Sequence, residues 1–445
     1  MKKLLIFCLG ILLTGTISAQ DNASKYSLKQ ALDYAFQNQG DFKNALLDEQ
    51  IAHQKVNEIE GLGTPQISGN AEIDDFLKIP TTFIPGQFFG GEPGTFAPVK
   101  FGQQYTSSVG LSASQLLFDG SYLIGLKATK AYQDLSRKQT QQTKTELAVK
   151  VSKAYYAVLV MDARMSIIDA NIERLNKLLN DTRALNKNGF AEKIDADRVE
   201  LAYNNLLVEK EKITRYKELS YALLKFQMGL KPNSAIELTD KLADFPWQDK
   251  ETLSDSTDVS KRSEFGLMQA QQRLQELDLK RYKSAYYPSL VGFGSLSQNA
   301  SRSEFNIFNT AYRWYPTAIV GVKLSVPIWD GLQKRSRVNQ SKLLLMKVNN
   351  SMDMLKDGLQ IEYFNAKSTY RNNVSSLETM VKNRELSEEI ARVSKIKYDN
   401  GVGSSLELVE AETAKREADA NYFNTLYDTI ISKIDLDKST GVIKY

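Results

Sequence analysis

Hydrophobic and polar residues follow two different periods along this chain. A period of two recurs in four segments, 66–74, 105–119, 288–293 and 318–326. Alternation of this kind predicts β-strands with one apolar and one polar side. The second and the fourth of these segments each continue into a helical pattern that is far longer than a globular domain normally holds.

The polar sides of the strands, and the loops between them, favour a membrane position. The polar sides are rich in Ser, Gly and Asn, whereas a solvent-facing sheet would carry Lys and Glu. Aromatic clusters at one end of strands of this length are typical of transmembrane barrels. A small soluble β-domain with one solvent-facing side is the alternative. The loop at 77–104 carries Phe83, Phe88, Phe89, Phe96 and Phe101, and the second loop carries Phe305, Phe308, Tyr312, Trp314 and Tyr315.

The first long helix is predicted from about Gly120 to Leu185. Two interleaved series repeat every seven residues within it, one from Val151 to Leu179 and one from Leu147 to Leu175. A seam sustained over so many heptads predicts coiled-coil packing against neighbouring helices. Asn188 and Gly189 predict the end of this helix, and a returning helix is expected from near residue 191 to residue 228.

The second half of the chain predicts the same helical hairpin. Its turn is expected at Asn400 and Gly401, with a returning helix from Ser404 to Gly441. Near the N-terminus, an amphipathic helix with Ser27 as its N-cap is predicted to continue to about Glu60, where Gly and Pro residues stop it.

One strand-and-helix unit is therefore present twice. Both copies of the strand end in an aromatic residue, Asp and Gly, and the two aspartates, Asp119 and Asp330, are 211 residues apart. The glycines Gly189 and Gly401 are 212 residues apart, so the duplication includes the helical turns. The organisation predicted from this is a signal peptide at 1–19, a first repeat at 20–230, a connecting belt at 231–262 and a second repeat at 263–445.

Composition narrows the possible chemistry. Lys2 and Lys3 precede an apolar run and small residues up to Ala19, which is the pattern of a secretory signal peptide. Without these two lysines the formal charge falls from +4 to +2, so charge implies no nucleic-acid partner. The single cysteine is Cys8 and the single histidine is His53. No nucleophile and His pair, phosphate loop or metal cluster is evident, so we expect neither an enzyme nor a cofactor.

The strand count predicts an oligomer. No segment after the signal peptide has the roughly 18 apolar residues that a membrane-spanning helix needs, so a β-barrel is the expected way to cross a membrane. A closed transmembrane barrel needs at least about eight strands, and each chain offers four. Two chains would supply eight strands, and three would supply twelve.

The order of elements in this chain resembles that of the TolC-like outer-membrane efflux proteins. A strand leads through Pro327, Ile328, Trp329 and Asp330 into a long helix, an Asn–Gly turn and a return helix, and this plan is duplicated. The resemblance implies a homotrimer with a shared twelve-stranded outer-membrane β-barrel and a periplasmic α-barrel of coiled-coil hairpins. It further implies a periplasmic adaptor protein and an inner-membrane transporter as partners, in a bacterium with two membranes. The implied function is the exit duct of a tripartite efflux system for small molecules such as drugs. A type I protein-secretion conduit and a periplasmic coiled-coil structural protein are the alternatives.

The same resemblance assigns candidate site residues at the periplasmic tip. It places an acidic lumen gate at Glu407 and Glu410, although Ser404 and Glu407 also form the pattern of a capping box. It places a latch at Asp195 and Tyr398, with Gly403 in the place of the latch arginine. Asp195 could equally be only an acidic residue in the first turn of its helix. The turns at Gly189 and Gly401 match the tips that contact the adaptor.

Overall fold

A computed structural model describes residues 24–242, 245, 258–309 and 311–443. The predicted signal peptide, including Cys8, and part of the predicted connecting belt lie outside the described residues. Seven α-helices and eight β-strands, together with two short 3-10 helices at Gly86–Phe89 and Val259–Lys261, form the described chain. The helices are α1 (Leu28–Asn38), α2 (Gly40–Gly61), α3 (Gly120–Lys187), α4 (Lys193–Met228), α5 (Ser263–Ser284), α6 (Gln333–Asp399) and α7 (Ser405–Thr440). The strands are β1 (Ser24–Tyr26), β2 (Gln66–Asp75), β3 (Thr81–Pro85), β4 (Phe96–Lys100), β5 (Tyr105–Asp119), β6 (Ile236–Leu238), β7 (Ser289–Arg302) and β8 (Tyr315–Ser325).

The four predicted long strands form one antiparallel sheet in the order β2, β5, β7, β8. The register places many apolar residues of the four strands on one face, where Gly69, Leu111, Leu296 and Ala318 are successive partners across the sheet. The other face is mainly polar, although it also carries Val291, Phe293 and Ile319. On that face the hydroxyl oxygens of Ser68 and Ser112 are 2.7 Å apart. The apolar face also carries Ile67, Ala71, Val109, Leu290, Val320, Val322 and Leu324.

In both copies of the motif formed by an aromatic residue, Asp and Gly, the aspartate side chain caps the start of the helix that follows. Asp119 Oδ1 accepts a hydrogen bond from the Tyr122 amide at 2.8 Å, and Asp330 Oδ2 accepts one from the Lys334 amide at 2.9 Å. These bonds satisfy amides that have no partner within their own helix. The copies differ after the aspartate, since β5 leads directly into α3 whereas Gly331 and Leu332 take positive φ values of 63° and 67° before α6.

The predicted opening helix is two helices. Ser27 caps α1 as predicted, in a reciprocal capping box with Gln30. At Gln39 the backbone turns extended, with φ −69° and ψ 132°, and the Gln39 side chain accepts a hydrogen bond from the Phe42 amide at 2.9 Å. The continuous helix to Glu60 was therefore a wrong prediction, because Gln39 ends α1 and its side chain caps the first turn of α2.

The loop at 77–104 contains structure that the sequence did not predict. Strands β3 and β4 pair as an antiparallel hairpin, with Phe83 opposite Pro98 and Pro85 opposite Phe96. The aromatic residues of this hairpin point outward, and Phe83 and Phe96 are 67% and 65% exposed. Local alternation was too short, and too interrupted by Pro and Gly, to indicate strands.

The heptad seam of α3 is buried as predicted. The buried members of the two series pack in separate hydrophobic clusters, one with α1 and the end of α4 and another with the beginnings of α4 and α7. Met165 and Ile172 are partly buried against the second cluster. The buried seam residues include Val151, Val158, Ile168, Leu175 and Leu179.

The described residues divide into two compact units. The first lies within Met1–Lys43, Lys144–Thr257 and Glu362–Tyr445, and the second within Asn44–Thr143 and Asp258–Ile361. Each unit draws residues from both predicted repeats, so the duplication in sequence and the division in space are different features. Among the helices of the described residues, none combines the length and the apolar character that crossing a membrane requires.

Candidate functional site

The turns of the two long hairpins share one backbone design. Gly189 and Gly401 have left-handed φ values of 79° and 74°. In the first turn the Phe190 amide donates to the Leu185 carbonyl at 2.9 Å, and in the second the Val402 amide donates to the Lys397 carbonyl at 3.0 Å. Each turn is a Schellman motif, in which a glycine lets the chain reverse and satisfy the last helical carbonyls. This is why Asn–Gly was a reliable sequence signal for both turns.

The two turns lie side by side and enclose an open groove of about 820 Å³. Both predicted tip glycines line this groove, together with both predicted latch residues. Next to the tip residues stand two exposed apolar side chains, Phe190 at 81% and Val402 at 78% exposure. The structure therefore brings the tip and latch candidates together in one place.

Asp195 joins the two hairpins. Its Oδ1 accepts a hydrogen bond from the Ser405 hydroxyl at the start of α7. Its Oδ2 accepts a bond from the Glu192 amide at 3.1 Å, and Arg198 Nη1 lies 3.8 Å from Oδ1. Asp195 therefore accepts bonds at its own helix terminus and from Ser405 of the other hairpin, and its role in a latch stays a prediction.

Tyr398 has a different partner from the one that the latch assignment expects. Within the described residues its hydroxyl is hydrogen-bonded to Thr182 Oγ1, at 3.2 Å, and not to Asp195. The fully buried Thr182 stands seven residues after Leu175, at the next position of the heptad series. A polar residue at a seam position was the signal that sequence reasoning missed.

Gly403 is held closely by the preceding helix end. A Cβ atom there would lie 2.9 Å from the Lys397 Cβ and 3.1 Å from the Tyr398 amide nitrogen. The Gly403 amide also donates to the Lys397 carbonyl at 3.1 Å. The position at which the resemblance expects an arginine therefore has no room for a side chain unless the backbone shifts.

The two gate candidates differ in their surroundings. The Ser404 hydroxyl accepts a bond from the Glu407 amide at 3.1 Å, which is one half of the predicted capping box. The Glu407 carboxylate pairs instead with Lys397 Nζ across the turn, at 3.2 Å. Glu410 is exposed, and no ion pair or hydrogen bond joins its side chain to another described residue. Of the two, Glu410 is the carboxylate without a counter-charge in the described chain.

Charged pairs also link the helices farther from the turns. Arg384 Nε donates to Asp419 Oδ1 at 2.8 Å, and Lys415 Nζ donates to Glu388 Oε1 at 3.1 Å. The hydrogen bond and charge of Lys415 hold the pKa of Glu388 below its usual value. Lys415 is buried and Glu388 is exposed, so this contact reaches from the helix packing to the surface.

The chain is similar to known proteins of one family. The model of the family described as Outer membrane efflux protein matches residues 98–214, which include β5, α3 and the first tip. The predicted resemblance to the TolC-like outer-membrane efflux family is confirmed. This is a family of outer-membrane channels and not a family of enzymes.

Individual TolC-like relatives are distant in sequence and similar over most of their length. Outer membrane protein TolC of Vibrio cholerae is 20% identical over 342 residues, which cover 76% of this chain and 77% of that protein. Nodulation protein T of Rhizobium leguminosarum bv. trifolii is 22% identical and covers 78% and 73%. The Campylobacter jejuni CmeC outer membrane channel has a TM-score of 0.75 at 16% identity, covering 94% of this chain and 86% of that one. At such low identity the structural likeness establishes the fold, which is that of the TolC-like channels.

Proposed function

We propose that this chain is the outer-membrane exit duct of a tripartite efflux system that exports small molecules such as drugs. The observation that carries the proposal is the four-stranded sheet, which exposes an apolar face and whose two edge strands each have one neighbour among the described strands. Val320 and Val322 on that face are 88% and 64% exposed. Apolar surface of this extent is stable only when lipid or protein covers it.

The sheet edges support a homotrimer. Among the described strands, β2 and β8 each pair with only one neighbour. A free edge invites pairing with another chain. If β8 of one chain lies beside β2 of the next, neighbouring strands remain antiparallel. Three chains close twelve strands into a barrel whose polar face, rich in Ser and Asn, lines the lumen while the apolar face contacts outer-membrane lipid.

The helical tips support partners on the periplasmic side. Gly189 and Gly401 expose the adjacent Phe190 and Val402 at the very ends of the hairpins. Exposed apolar side chains beside rigid turns suit a contact with a helical partner. In this proposal a periplasmic adaptor binds these tips and connects the duct to an inner-membrane transporter.

Localisation and assembly provide the first test. We expect the chain in the outer-membrane fraction of its native host, and we expect the detergent-extracted protein to have three chain masses in native mass spectrometry. Purified protein should form ion-conducting channels in planar bilayers. A soluble monomer, or a membrane protein without conductance, would contradict the exit-duct proposal.

The gate assignment has its own test. In the proposed trimer three copies of Glu410 form a ring at the narrow lumen entrance, where carboxylates attract multivalent cations. Glu410→Gln should weaken block by divalent cations in bilayer recordings by roughly tenfold, the factor that about 1.4 kcal/mol represents. Glu407→Gln should have a smaller effect, because Lys397 already neutralises that carboxylate.

The exposed Glu417 offers a control on the same helix, ten residues after Glu407. Glu417→Gln should leave the block unchanged. Equal block in the wild type and in the doubly substituted Glu407→Gln, Glu410→Gln channel would reject the gate.

A further inference from the structure

A buried arginine lies at the end of the sheet that is away from the helices. Arg302 is the last residue of β7, and it is only 8% exposed. Its Nη2 donates to the Tyr312 carbonyl at 3.4 Å, and its buried Nε has no hydrogen-bond partner among the described residues. No carboxylate of the described residues lies within ion-pair distance of it. A buried guanidinium without a counter-charge is unfavourable, so its surroundings imply an anionic ligand.

Among the described residues, two more buried side-chain atoms without a hydrogen-bond partner belong to this end of the sheet and to the loop that follows β7. They are Ser107 Oγ on β5 and Asn306 Oδ1 in the loop between β7 and β8. The register pairs Tyr105 with Arg302 and Ser107 with Ala300, so Ser107 and Arg302 are diagonal neighbours on one face. A hydroxyl can donate to an anion, and so can an amide once it is turned by 180°.

Ser107 and Arg302 lie on the apolar face of the sheet. Arg302 continues the series of β7 residues that includes Leu296, whose side chain is 61% exposed. The loop that follows folds over this end of the face, because the Phe305 ring meets the Tyr105 ring edge-on at 5.5 Å and Ile307 is 5% exposed. The cluster therefore lies where the continuous apolar surface of the sheet ends.

Aromatic side chains surround the cluster and remain accessible. Phe308 is 83% exposed, and Tyr312, whose ring centroid is 4.7 Å from the Arg302 guanidinium carbon, is 51% exposed. Rings that are apolar on one side and near polar groups on the other suit the boundary between lipid chains and headgroups. A small free anion would bind the polar groups of the cluster, but it would not contact these rings, whereas the acyl chains of a lipid would.

We propose that Arg302, with Ser107 and Asn306, binds the phosphate headgroup of an anionic lipid in the outer membrane. The inference rests on the proposed function, because only in a membrane barrel does the apolar face contact lipid. The planar guanidinium can bind two phosphate oxygens at once, which makes arginine well suited to this headgroup. The ligand supplies the counter-charge that the described chain lacks, and its acyl chains cover the exposed rings.

Lipid binding to the detergent-purified oligomer tests the proposal. Native mass spectrometry would count molecules of a lipid with a phosphomonoester headgroup, beside a phosphocholine lipid with the same acyl chains and beside inorganic phosphate. We expect preference for the phosphomonoester lipid, and Arg302→Gln should weaken its binding by roughly tenfold. The lipid affinity of Arg302→Lys should fall between those of the wild type and Arg302→Gln, because lysine keeps the charge and loses the planar pair of donors.

Arg313→Gln is the matched control, since Arg313 is an exposed arginine in the same loop; it should bind lipid as the wild type does. If Arg302→Gln does not fold, Ser107→Ala removes one donor from a small side chain and should weaken binding a few-fold. Equal lipid binding by the wild type and these variants would overturn the inference, and so would equal retention of inorganic phosphate. A wild-type protein absent from the outer membrane would instead overturn the proposed function.

Discussion

Single side chains decide how the two hairpins are joined at their tips. Ser405 binds Asp195 and Thr182 binds Tyr398, so two polar contacts connect α3 and α4 with α6 and α7. Hydrophobic packing supports them, because Leu408 is buried among Val199, Leu206 and other residues of the first hairpin. The contact to the Asp195 carboxylate is the stronger of the two in principle, since hydrogen bonds to charged groups contribute about 1.5–3 kcal/mol.

At this scale we predict that Asp195 and Ser405 act as one unit in holding the channel closed. Asp195→Ala and Ser405→Ala should each raise the conductance of the isolated channel. If either change destabilises the closed state by about 1.4 kcal/mol, the ratio of open to closed channels rises roughly tenfold. The double variant should open little further than either single variant, because both remove the same bond. Bilayer recordings of the three variants measure this.

Ser404→Ala is the control, since it removes a helix cap in the same turn and no contact between hairpins. It should conduct as the wild type does. Additive effects of Asp195→Ala and Ser405→Ala, or unchanged conductance in both, would argue against a latch at this bond.

At the scale of elements, glycine has opposite effects in the turns and inside the helices. Gly401 ends α6 in the left-handed region, where any other residue is strained. Gly358 stands within α6, and a Cβ atom there would meet no atom within 4 Å. Alanine at the first position adds strain, whereas alanine at the second removes chain entropy only from the unfolded state.

We therefore predict that Gly401→Ala lowers the free energy of unfolding by about 1 kcal/mol and that Gly358→Ala raises it by about 0.5–1 kcal/mol. For a chain of this length each change corresponds to a shift of roughly 1 °C in the melting midpoint. Circular dichroism of the purified proteins, heated at one fixed rate, gives the comparison. Shifts of the same sign for both variants would contradict the assignment of Gly401 to a strained turn.

At the scale of the whole molecule, the edges of the sheet determine the assembly. β2 and β8 carry the same pattern as the inner strands, yet each lacks a second neighbour within the described chain. In the proposed trimer they pair with each other across three equivalent interfaces. The polar face, with Asn70 on β2 and Thr317 on β8, then becomes a continuous lumen wall.

Disulfide scanning tests this pairing, because the only native cysteine lies in the predicted signal peptide. Asn70→Cys would be combined in turn with Thr317→Cys, Ile319→Cys, Gly321→Cys and Lys323→Cys, all on the polar face. We expect one or two adjacent combinations to give cross-linked dimers and trimers upon oxidation in membranes, at the Cα spacing that a disulfide allows. Each single-cysteine variant serves as its control, and monomers from every combination would contradict the closed barrel.

The sequence by itself determined the elements that depend on local periodicity and on glycine. The heptad seam predicted α3, Asn–Gly predicted both turns, and alternation predicted the four long strands and the faces of β2 and β5, because these signals act between residues that are close along the chain. Gly and Pro obscured β3 and β4, and nothing in the apolar pattern indicated the break at Gln39. The duplication and the motif order were sufficient to indicate the family.

Only the tertiary structure decided which polar groups meet. Asp195 and Ser405 are 210 residues apart, and Tyr398 and Thr182 are 216 apart, so no local pattern could pair them. The same holds for Lys397, which pairs with Glu407 across a turn, and for Arg302, which has no counter-charge among the described residues. A hydrogen bond depends on distance and direction in space, whereas a sequence records only the order of the residues.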